Sequence, residues 1–586
     1  MATNIDELFK ASGVGNKRKL EPLRDPNQAH KYARHNNNNT TGRPAHIEDE
    51  QQLIVEDDDN NNNIEAGPSP PPEEGEGEGD YGPEIPPDDD DDEEGGRFFG
   101  GGVTAQEVQL LDYVDAAAGP ETTTTTADDK MDVAWLRRTA LTFEKKISRN
   151  AEQRARFEDE PAKFIASEAD LDAVIKTLSI LSEHPELYPE FARIGCAGSL
   201  VGLLAHENTD IAIDAIEIIN ELTDEDVAAG EEQWDALVDS FFDADLLSLL
   251  VSNLGRLDET QETDRGGVYQ ALGVLENLCG RATAAERVAQ EEGLLKWLLQ
   301  RIQATEESVG QNKQYAAEIL AILVQESALN RRRLCDGDAV DTILQLLAPY
   351  RKRNPEKGSE EEEYVQNLFD ALTSIVDEPE GKTKFIEAEG VELALIMVKE
   401  AKKSKGPALK VLDHAVGGPA GVDVCMKIVE AGGLKNIFMG FMRKKLDQRM
   451  VEHLVDIFAE MLRRLPGGSD ERVRLLAKFV EKDYEKTVKL LKLRREAVER
   501  IEWARLDARS EDRYIVKMID IVLAWLIAED DGTKKIIKIL LAERDEKLDV
   551  IKKSLLEEIF SGMQPNEEDE DQDTQLMLRT LADHIK

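Results

Sequence analysis

The sequence YPEFARIGCAGSLVGLLAH, residues 188–206, places a short apolar segment before Gly195 and a longer apolar segment after it. This form is typical of a helix that ends in a left-handed residue and turns directly into a second helix. Glycine adopts φ > 0 more readily than any other residue, because it has no Cβ. The sequence therefore predicts two consecutive helices joined at Gly195.

The same pattern recurs along the chain. It appears again in ERVAQEEGLLKWLLQRI, NRRRLCDGDAVDTILQLL, KTKFIEAEGVELALIMVKE and CMKIVEAGGLKNIFMGFM, with Gly293, Gly337, Gly390 and Gly433 at the corresponding position. The interval from Gly195 to Gly293 is about twice the others, and DSFFDADLLSLLVSNL within it fits a unit that lacks the glycine. A further amphipathic segment follows each unit. Repetition at such a period is typical of solenoid proteins.

Three helices per unit, with the glycine before the second helix, resemble armadillo repeats. We therefore predict an all-α fold, an armadillo/HEAT-like right-handed superhelical solenoid with helical N- and C-terminal caps. Strand-like alternation is not sustained anywhere beyond Met131. In armadillo proteins the third helices stack side by side and line a concave groove, so the resemblance implies such a groove here.

Composition changes sharply near residue 130 and divides the chain. Residues 1–130 contain runs of Asn, Asp, Thr, Pro and Gly and are predicted to form a disordered acidic tail. Residues 131–185 are predicted to form an N-terminal helical cap, and 186–465 the repeats. Helical periodicity without the glycine pattern predicts a C-terminal helical capping domain at 466–563. An acidic end follows at 564–586.

The charge of the chain restricts its partners. With 72 Lys and Arg against 120 Asp and Glu, its formal net charge is -48, which repels nucleic acid phosphates and anionic membranes. We therefore expect basic protein partners, with no direct binding of nucleic acid or membrane. The four cysteines are predicted to be buried, reduced thiols of an intracellular protein. No apolar run is long enough to span a bilayer, which predicts a soluble protein.

The third helix of the first unit carries the clearest functional signal. In DIAIDAIEIINELTDED, residues 210–226, acidic residues recur at steps of four and three and form one stripe opposite the isoleucines. Like charges at this spacing repel one another, so the stripe does not help the helix to form. We predict a groove for basic peptides, lined by Asp210, Asp214, Glu217, Asn220, Glu221 and Asp224, and on later third helices by Glu276, Asn277, Glu318, Asp370 and Asp413. Asn220 and Asn277 are predicted to bond the peptide backbone.

Longer segments of the sequence indicate a relationship to one particular family of armadillo-type proteins. The chain contains the segments MDVAWLRRTALTFEKKISRNAEQRARFEDEPAKFIASEADL, LVSNLGRLDE, ALKVLDHAVGGPAGVD and RLLAKFVEKDYEKTVKLL. These segments resemble the beta-catenin-like protein 1 family, and the resemblance extends from about Met131 to about Met563. The resemblance implies a nuclear protein of the spliceosome that is associated with the nineteen complex. It also implies binding to basic, localisation-signal-like segments of splicing proteins. Lys17, Arg18 and Lys19 resemble a nuclear localisation signal.

Other functions have weaker support in the sequence. A nuclear transport adaptor of the importin-alpha kind is the alternative, but the repeated tryptophan and asparagine array of those receptors is missing, so basic side chains would meet carboxylates without aromatic walls. No catalytic, cofactor-binding or metal-binding motif is present, and His184, His206, His414 and His453 are scattered singly. We therefore expect a non-enzymatic protein without a cofactor. Homo-oligomerisation is compatible with the sequence.

Overall fold

The computed structural model describes residues 131–503, 510–561 and 569–585. These ranges contain 25 α-helices and no strand. The predicted tail, the basic triplet Lys17, Arg18 and Lys19, and part of the predicted acidic end lie outside the described residues. In the part that the structure describes, no helix is long and apolar enough to cross a membrane.

Two helices precede the repeats and pack against each other, α1 (Val133–Arg156) and α2 (Ile165–Thr177). The carboxylate of Asp132 accepts hydrogen bonds from the N–H groups of Ala134, at 2.9 Å, and Trp135, at 3.0 Å. These bonds satisfy two of the four free N–H groups at the start of α1. Leu136, Ala140 and Phe143 lie on one face at helical spacing and are buried.

Six units of three helices follow within 188–464. Their first helices are α3 (Tyr188–Arg193), α6 (Glu231–Asp243), α9 (Ala282–Val288), α12 (Ala328–Asp336), α15 (Pro379–Glu387) and α18 (Val422–Glu430). Their second helices are α4 (Cys196–Gly202), α7 (Leu246–Arg256), α10 (Glu292–Gln303), α13 (Ala339–Leu347), α16 (Gly390–Glu400) and α19 (Gly433–Phe441). Their third helices are α5 (Thr209–Thr223), α8 (Glu262–Cys279), α11 (Gln311–Gln325), α14 (Glu360–Ile375), α17 (Lys405–Val416) and α20 (Gln448–Arg464).

Each third helix packs on the third helix of the next unit, from α5 through to α20, and α2 packs on α5 in the same manner. The apolar residues that align from unit to unit are buried at this packing: Ile219, Leu275, Leu320, Leu372 and Leu412. The prediction of an all-α solenoid is confirmed. The four cysteines are free and buried, as predicted.

The explanation that we gave for the repeated glycine holds at Gly195, where φ is 81°, and is wrong at the other four positions. In three later units a neighbouring residue adopts the left-handed conformation: Asp338, with φ of 55°, Glu389, with 56°, and Gly432, with 71°. Asp245, with φ of 61°, does so in the unit without the glycine. Aspartate tolerates this conformation better than most residues.

Two of the remaining glycines are required for close packing and not for their φ angle. A Cβ on Gly390 would lie 2.3 Å from the ring of Phe385, and one on Gly433 would lie 2.6 Å from Leu395. Any larger residue would push the first or neighbouring second helix away from the position it occupies. The pattern thus identified the turn correctly, although the reason for the glycine differs between units.

Five helices follow the repeats: α21 (Asp470–Trp503), α22 (Ser510–Glu529), α23 (Asp531–Ala542), α24 (Asp549–Ser561) and α25 (Asp569–His584). Helix α21 is interrupted at Glu481–Tyr484, where the backbone leaves the helical conformation. It packs on α22 and α23, and α22 packs on α20. The predicted domain boundaries and the capping role of these helices stay predictions.

An aromatic cluster connects the last unit to α21. The rings of Phe438, Phe441, Phe458 and Phe479 pack with centroids 4.6 to 5.3 Å apart. Nearby, the buried guanidinium of Arg472 donates to the carbonyl oxygens of Leu462, at 2.6 Å, and Leu465, at 2.8 Å. These carbonyls lie at the end of α20 and have no partner within the helix, so Arg472 of α21 satisfies them.

Replacing Phe479 with alanine should therefore destabilise the repeats. The ring is fully buried, and such truncations cost about 3–5 kcal/mol. The control is Val473→Ala on the same helix, because Val473 is 56% exposed and should change stability by no more than about 0.5 kcal/mol. Urea unfolding followed by circular dichroism compares the two variants. Equal stability would contradict a capping role for α21.

Candidate functional site

Helix α5 has two chemically different faces. The side chain of Asn208 accepts a hydrogen bond from the N–H of Asp210 at 3.0 Å and caps the helix. One face is buried against neighbouring helices and consists of Ile211, Ala215, Ile218, Ile219 and Leu222. The opposite face carries the acidic stripe, of which Asp210, Glu217 and Glu221 are exposed.

An open cleft of about 810 Å³ lies against this stripe, between α2, α5 and α8. We call it the acidic cleft. Three of the predicted site residues line it: Asp210, Asp214 and Glu217. Its other carboxylates, from Glu168, Asp172 and Glu262, were not predicted as site residues. The spacing of Glu168 and Asp172, four residues apart on α2, was a signal that could have identified them.

Two carboxyl groups meet inside the acidic cleft. Asp172 and Asp214 are hydrogen-bonded to each other, and Lys176 contacts both, with its Nζ 3.5 Å from Asp214 Oδ1. Burial, followed by the neighbouring Asp172, raises the pKa of Asp214 to about 7. The hydrogen bond from Asp214 lowers the pKa of Asp172. One proton is therefore shared where two negative charges would otherwise repel each other.

A second acidic group lies one unit further on. The hydroxyl of Tyr315 on α11 donates a hydrogen bond to the carboxyl of Glu276 on α8. Gln314 donates to Glu318 at 2.8 Å. Burial raises the pKa of Glu276 to about 8 and that of Glu318 to about 7. We call Glu276, Glu318 and Tyr315 the central acidic group.

The expectation that a basic peptide would meet carboxylates without aromatic walls stays a prediction, because Tyr315, whose hydroxyl contacts Glu276, is buried. The rings of Tyr269 and Tyr315 lie with centroids 5.1 Å apart, on α8 and α11 respectively. The prediction considered only tryptophan, because tryptophan forms the array of importin-alpha-type receptors. Tyrosine can also contact a cation through its ring.

Asn220 and Asn277 are adjacent in the structure. The Nδ2 of Asn277 donates to the backbone oxygen of Asn220 at 3.0 Å and to its Oδ1 at 2.9 Å. The Nδ2 of Asn220 donates to Gln270 at 2.7 Å. Both amides therefore connect α5 to α8, and their role in binding a peptide backbone stays a prediction.

Asp224 lies at the end of α5, where its carboxylate accepts a hydrogen bond from the N–H of Asp226 at 2.9 Å. It is separated from the acidic cleft by the length of α5, because the cleft is lined by residues from the first part of that helix. Asp224 does contribute to the field that raises the pKa of Glu276. The stripe thus extends from the acidic cleft to the central acidic group.

The predicted site residues of the later units have basic partners. Asp370 on α14 pairs with Lys410 on α17 at 3.0 Å, and both are buried. Asp413 on α17 pairs with His453 on α20, also at 3.0 Å. In contrast, no salt bridge to a described residue is formed by Asp210, Glu217, Glu221, Glu276 or Glu318. Among the predicted site residues, those without a salt bridge therefore all lie on α5, α8 and α11.

The arrangement offers acceptors and negative charge and is suited to basic groups. Among the described residues, no group of three or more His, Cys, Asp or Glu side chains is placed to hold a metal ion. Comparison with known proteins agrees with the repeat architecture: the family described as "Catenin-beta-like, Arm-motif containing nuclear" matches residues 108–556. The chain belongs to this family.

Relatives within the catenin-beta-like family are similar over most of their length. The beta-catenin-like protein 1 homolog of Schizosaccharomyces pombe is 37% identical over 72% of this chain and 77% of its own. Beta-catenin-like protein 1 of Homo sapiens is 38% identical over 62% of this chain and 65% of its own. A designed armadillo repeat protein of known structure aligns with a TM-score of 0.34 at 16% identity, covering 45% of this chain and 99% of its own.

The pair in the acidic cleft of this catenin-beta-like protein should make its stability depend on pH. The pKa of Asp214 lies above its ordinary value of 3.8, at about 7. The folded chain therefore holds a proton that the unfolded chain releases, and this contribution to stability is lost as the pH rises through about 7. Asp214→Asn removes the ionisation, so the variant should gain stability relative to the natural chain between pH 5 and pH 8.

The matched control for this comparison is Glu217→Gln, which removes one exposed carboxylate from the same helix. Urea unfolding at pH 5 and pH 8 measures the difference for each variant. The same pH dependence for both variants would show that the pair does not share a proton.

Proposed function

We propose that this protein is a non-enzymatic nuclear scaffold of the spliceosome, associated with the nineteen complex. In this role it binds basic, localisation-signal-like segments of splicing factors along α5, α8 and α11. The observation that carries the proposal is the row of exposed carboxylates without salt bridges on α5, beside the acidic cleft, in contrast to the paired site residues Asp370 and Asp413. A folded protein gains nothing from such repulsion by itself, so a basic partner provides the physical reason for it.

The dimensions of the acidic surface suit a short extended peptide. Packed helices lie about 8–10 Å apart, so the distance from α5 to α11 is roughly 16–20 Å. An extended chain rises about 3.3 Å per residue, and about six residues therefore cover this distance. Alternate side chains of such a segment would face the acidic cleft and the central acidic group.

The chemistry of the two groups also favours cations. An arriving Lys or Arg side chain would stabilise the ionised forms of Asp214 and Glu276, whose pKa values are raised mainly by burial. Tyr315 is buried and bonded to Glu276, but the half-buried Tyr269, which packs on Tyr315, offers a ring to an aliphatic stem or a guanidinium. A neutral or acidic peptide would lack these interactions.

The transport-adaptor alternative has less support. Trp135, Trp234, Trp297, Trp503 and Trp525 lie on α1, α6, α10, α21 and α22. None of them is on a third helix, where importin-alpha-type receptors carry their array. A scaffold that binds basic segments by charge and tyrosine contacts requires no such array.

Reversing charge on the exposed part of the stripe should weaken binding of a basic peptide. The variant carries Asp210→Lys, Glu217→Lys and Glu221→Lys, and it leaves the half-buried Asp214 in place. Exposed ion pairs contribute roughly 0.2–1 kcal/mol each, so the affinity should fall about threefold or more, with repulsion adding to the loss. Fluorescence anisotropy of a labelled KRKLKR peptide measures the affinity after circular dichroism has confirmed folding.

The control variant has the same change in net charge and lies away from the third helices. It carries Asp243→Lys, Asp336→Lys and Glu430→Lys, each at an exposed last position of a first helix. This control should retain most of the affinity at about 0.15 M salt, where charges further apart than about 8 Å are screened. Equal weakening by the two variants would exclude a specific site on α5.

The splicing role predicts which proteins the two variants retain. The natural chain should capture nineteen-complex components and other splicing factors from nuclear extract. The α5 variant should lose those that bind through basic segments, while the control variant keeps them. Quantitative mass spectrometry of the three captures provides the measurement. Recovery of transport receptors without splicing factors would favour the adaptor alternative.

A further inference from the structure

The acidic cleft has an apolar wall in addition to its carboxylates. Ile165, at the first position of α2, is 58% exposed. Ala169 lies one turn further along α2, and Ile213 of α5 lies opposite. A large aliphatic side chain in water at the edge of a cleft is unfavourable in the free protein, and it offers a partner apolar surface to bury.

Two adjacent glycines of α8 form another part of this wall, and only one of them is required to be glycine by packing within the chain. A Cβ on Gly267 would lie 2.6 Å from Ile213, so this glycine allows α8 to approach α5. A Cβ on Gly266 would meet no atom within 4 Å, and Gly266 lines the acidic cleft. Packing within the chain therefore does not require glycine at 266, although glycine weakens a helix relative to alanine.

Gly266 lines the acidic cleft and an added Cβ would meet no atom there, so a side chain at this position would have room to extend into the cleft. A residue that destabilises its helix and is not required for packing is expected at functional sites, where binding a partner conflicts with stability. The exposed Ile165 is a second departure of the same kind in the same cleft.

We propose that the acidic cleft holds one large apolar side chain of a basic partner segment. This side chain packs on Ile165 and over Gly266, while flanking lysine or arginine side chains reach Asp210, Glu217 and Glu262 at the rim. The inference rests on the proposed function, and it specifies the kind of segment that binds: a basic run interrupted by a residue such as leucine. Lysine or arginine alone would leave the apolar wall in contact with water.

Charge and size both support this occupant. Carboxylates from all three helices surround the cleft, and among its lining residues the one cation is Lys176, which contacts Asp172 and Asp214. This field excludes acidic ligands and favours basic ones. The volume of about 810 Å³ is within the range of pockets that hold drug-sized molecules. It is therefore sufficient for an apolar side chain and the aliphatic stems beside it.

The test compares two peptides, KRKLKR and KRKSKR, which differ only in the apolar residue. Burying a leucine side chain should increase affinity about tenfold, so the natural full-length chain should prefer KRKLKR by about that factor. Gly266→Gln places an uncharged polar chain where the apolar side chain would pack and should abolish most of the preference. It should leave the affinity for KRKSKR nearly unchanged, because every carboxylate is retained.

The control is Gly255→Gln on α7, where an added Cβ also meets no atom within 4 Å but the residue lies outside the acidic cleft. This variant should keep the preference for KRKLKR. If Gly266→Gln does not fold, Ile165→Ser provides the same test from α2, since Ile165 is exposed and not part of the core.

The outcomes separate this inference from the proposed function. Equal affinity of the natural chain for both peptides, or a preference that survives both cleft variants, overturns the inference. If the charge reversal on α5 still weakens both peptides, the proposed function stands without the apolar anchor. If neither peptide binds better to the natural chain than to the charge-reversed variant, the proposed function fails and the inference fails with it.

Discussion

The structure depends on the lateral packing of third helices between neighbouring units. A third helix such as α5 can bury Ile219 only against other helices of the stack, because its own unit supplies just two short partners. The same packing fixes the opposite face, since residues on successive third helices are brought side by side. The charged side chains on this face of successive third helices therefore lie close together, and the electrostatic field above them is produced by several units.

The two halves of the stack differ in the groups that contact their acidic residues. From α14 to α20 an acidic residue of one third helix meets a basic residue of the next, as Asp370 meets Lys410 and Asp413 meets His453. From α2 to α11 acidic residues also meet acidic or neutral groups, as Asp214 meets Asp172 beside Lys176, and Glu276 meets Tyr315. The first arrangement stabilises the stack, and the second leaves it with carboxyl groups of raised pKa whose ionised forms a nearby cation would stabilise.

Local spacing in the sequence predicted the helices and the repeated unit, because helical periodicity and turn residues act over a few positions. It did not predict contacts between units, which join residues one repeat apart. Asp370 and Lys410 are separated by 40 positions, Asp413 and His453 by 40, and Glu276 and Tyr315 by 39. The repeat period is therefore the missing signal: in a solenoid, a residue on a third helix should be compared with the residue about one period later.

This rule also explains why the stripe alone gave an incomplete site. The acidic cleft needs α2, which precedes the first complete unit, and α8, which belongs to the unit without the repeated glycine. Helix α2 lacks the features by which the units were recognised, and on α8 only Glu276 and Asn277, beyond the part that lines the cleft, were assigned to the site. The repeat pattern identifies positions that are similar in every unit. The cleft is instead lined by residues outside that pattern, such as Ile165 and Gly266. In a repeat protein such departures carry specificity, because an identical surface in every unit would bind a partner equally well in several registers.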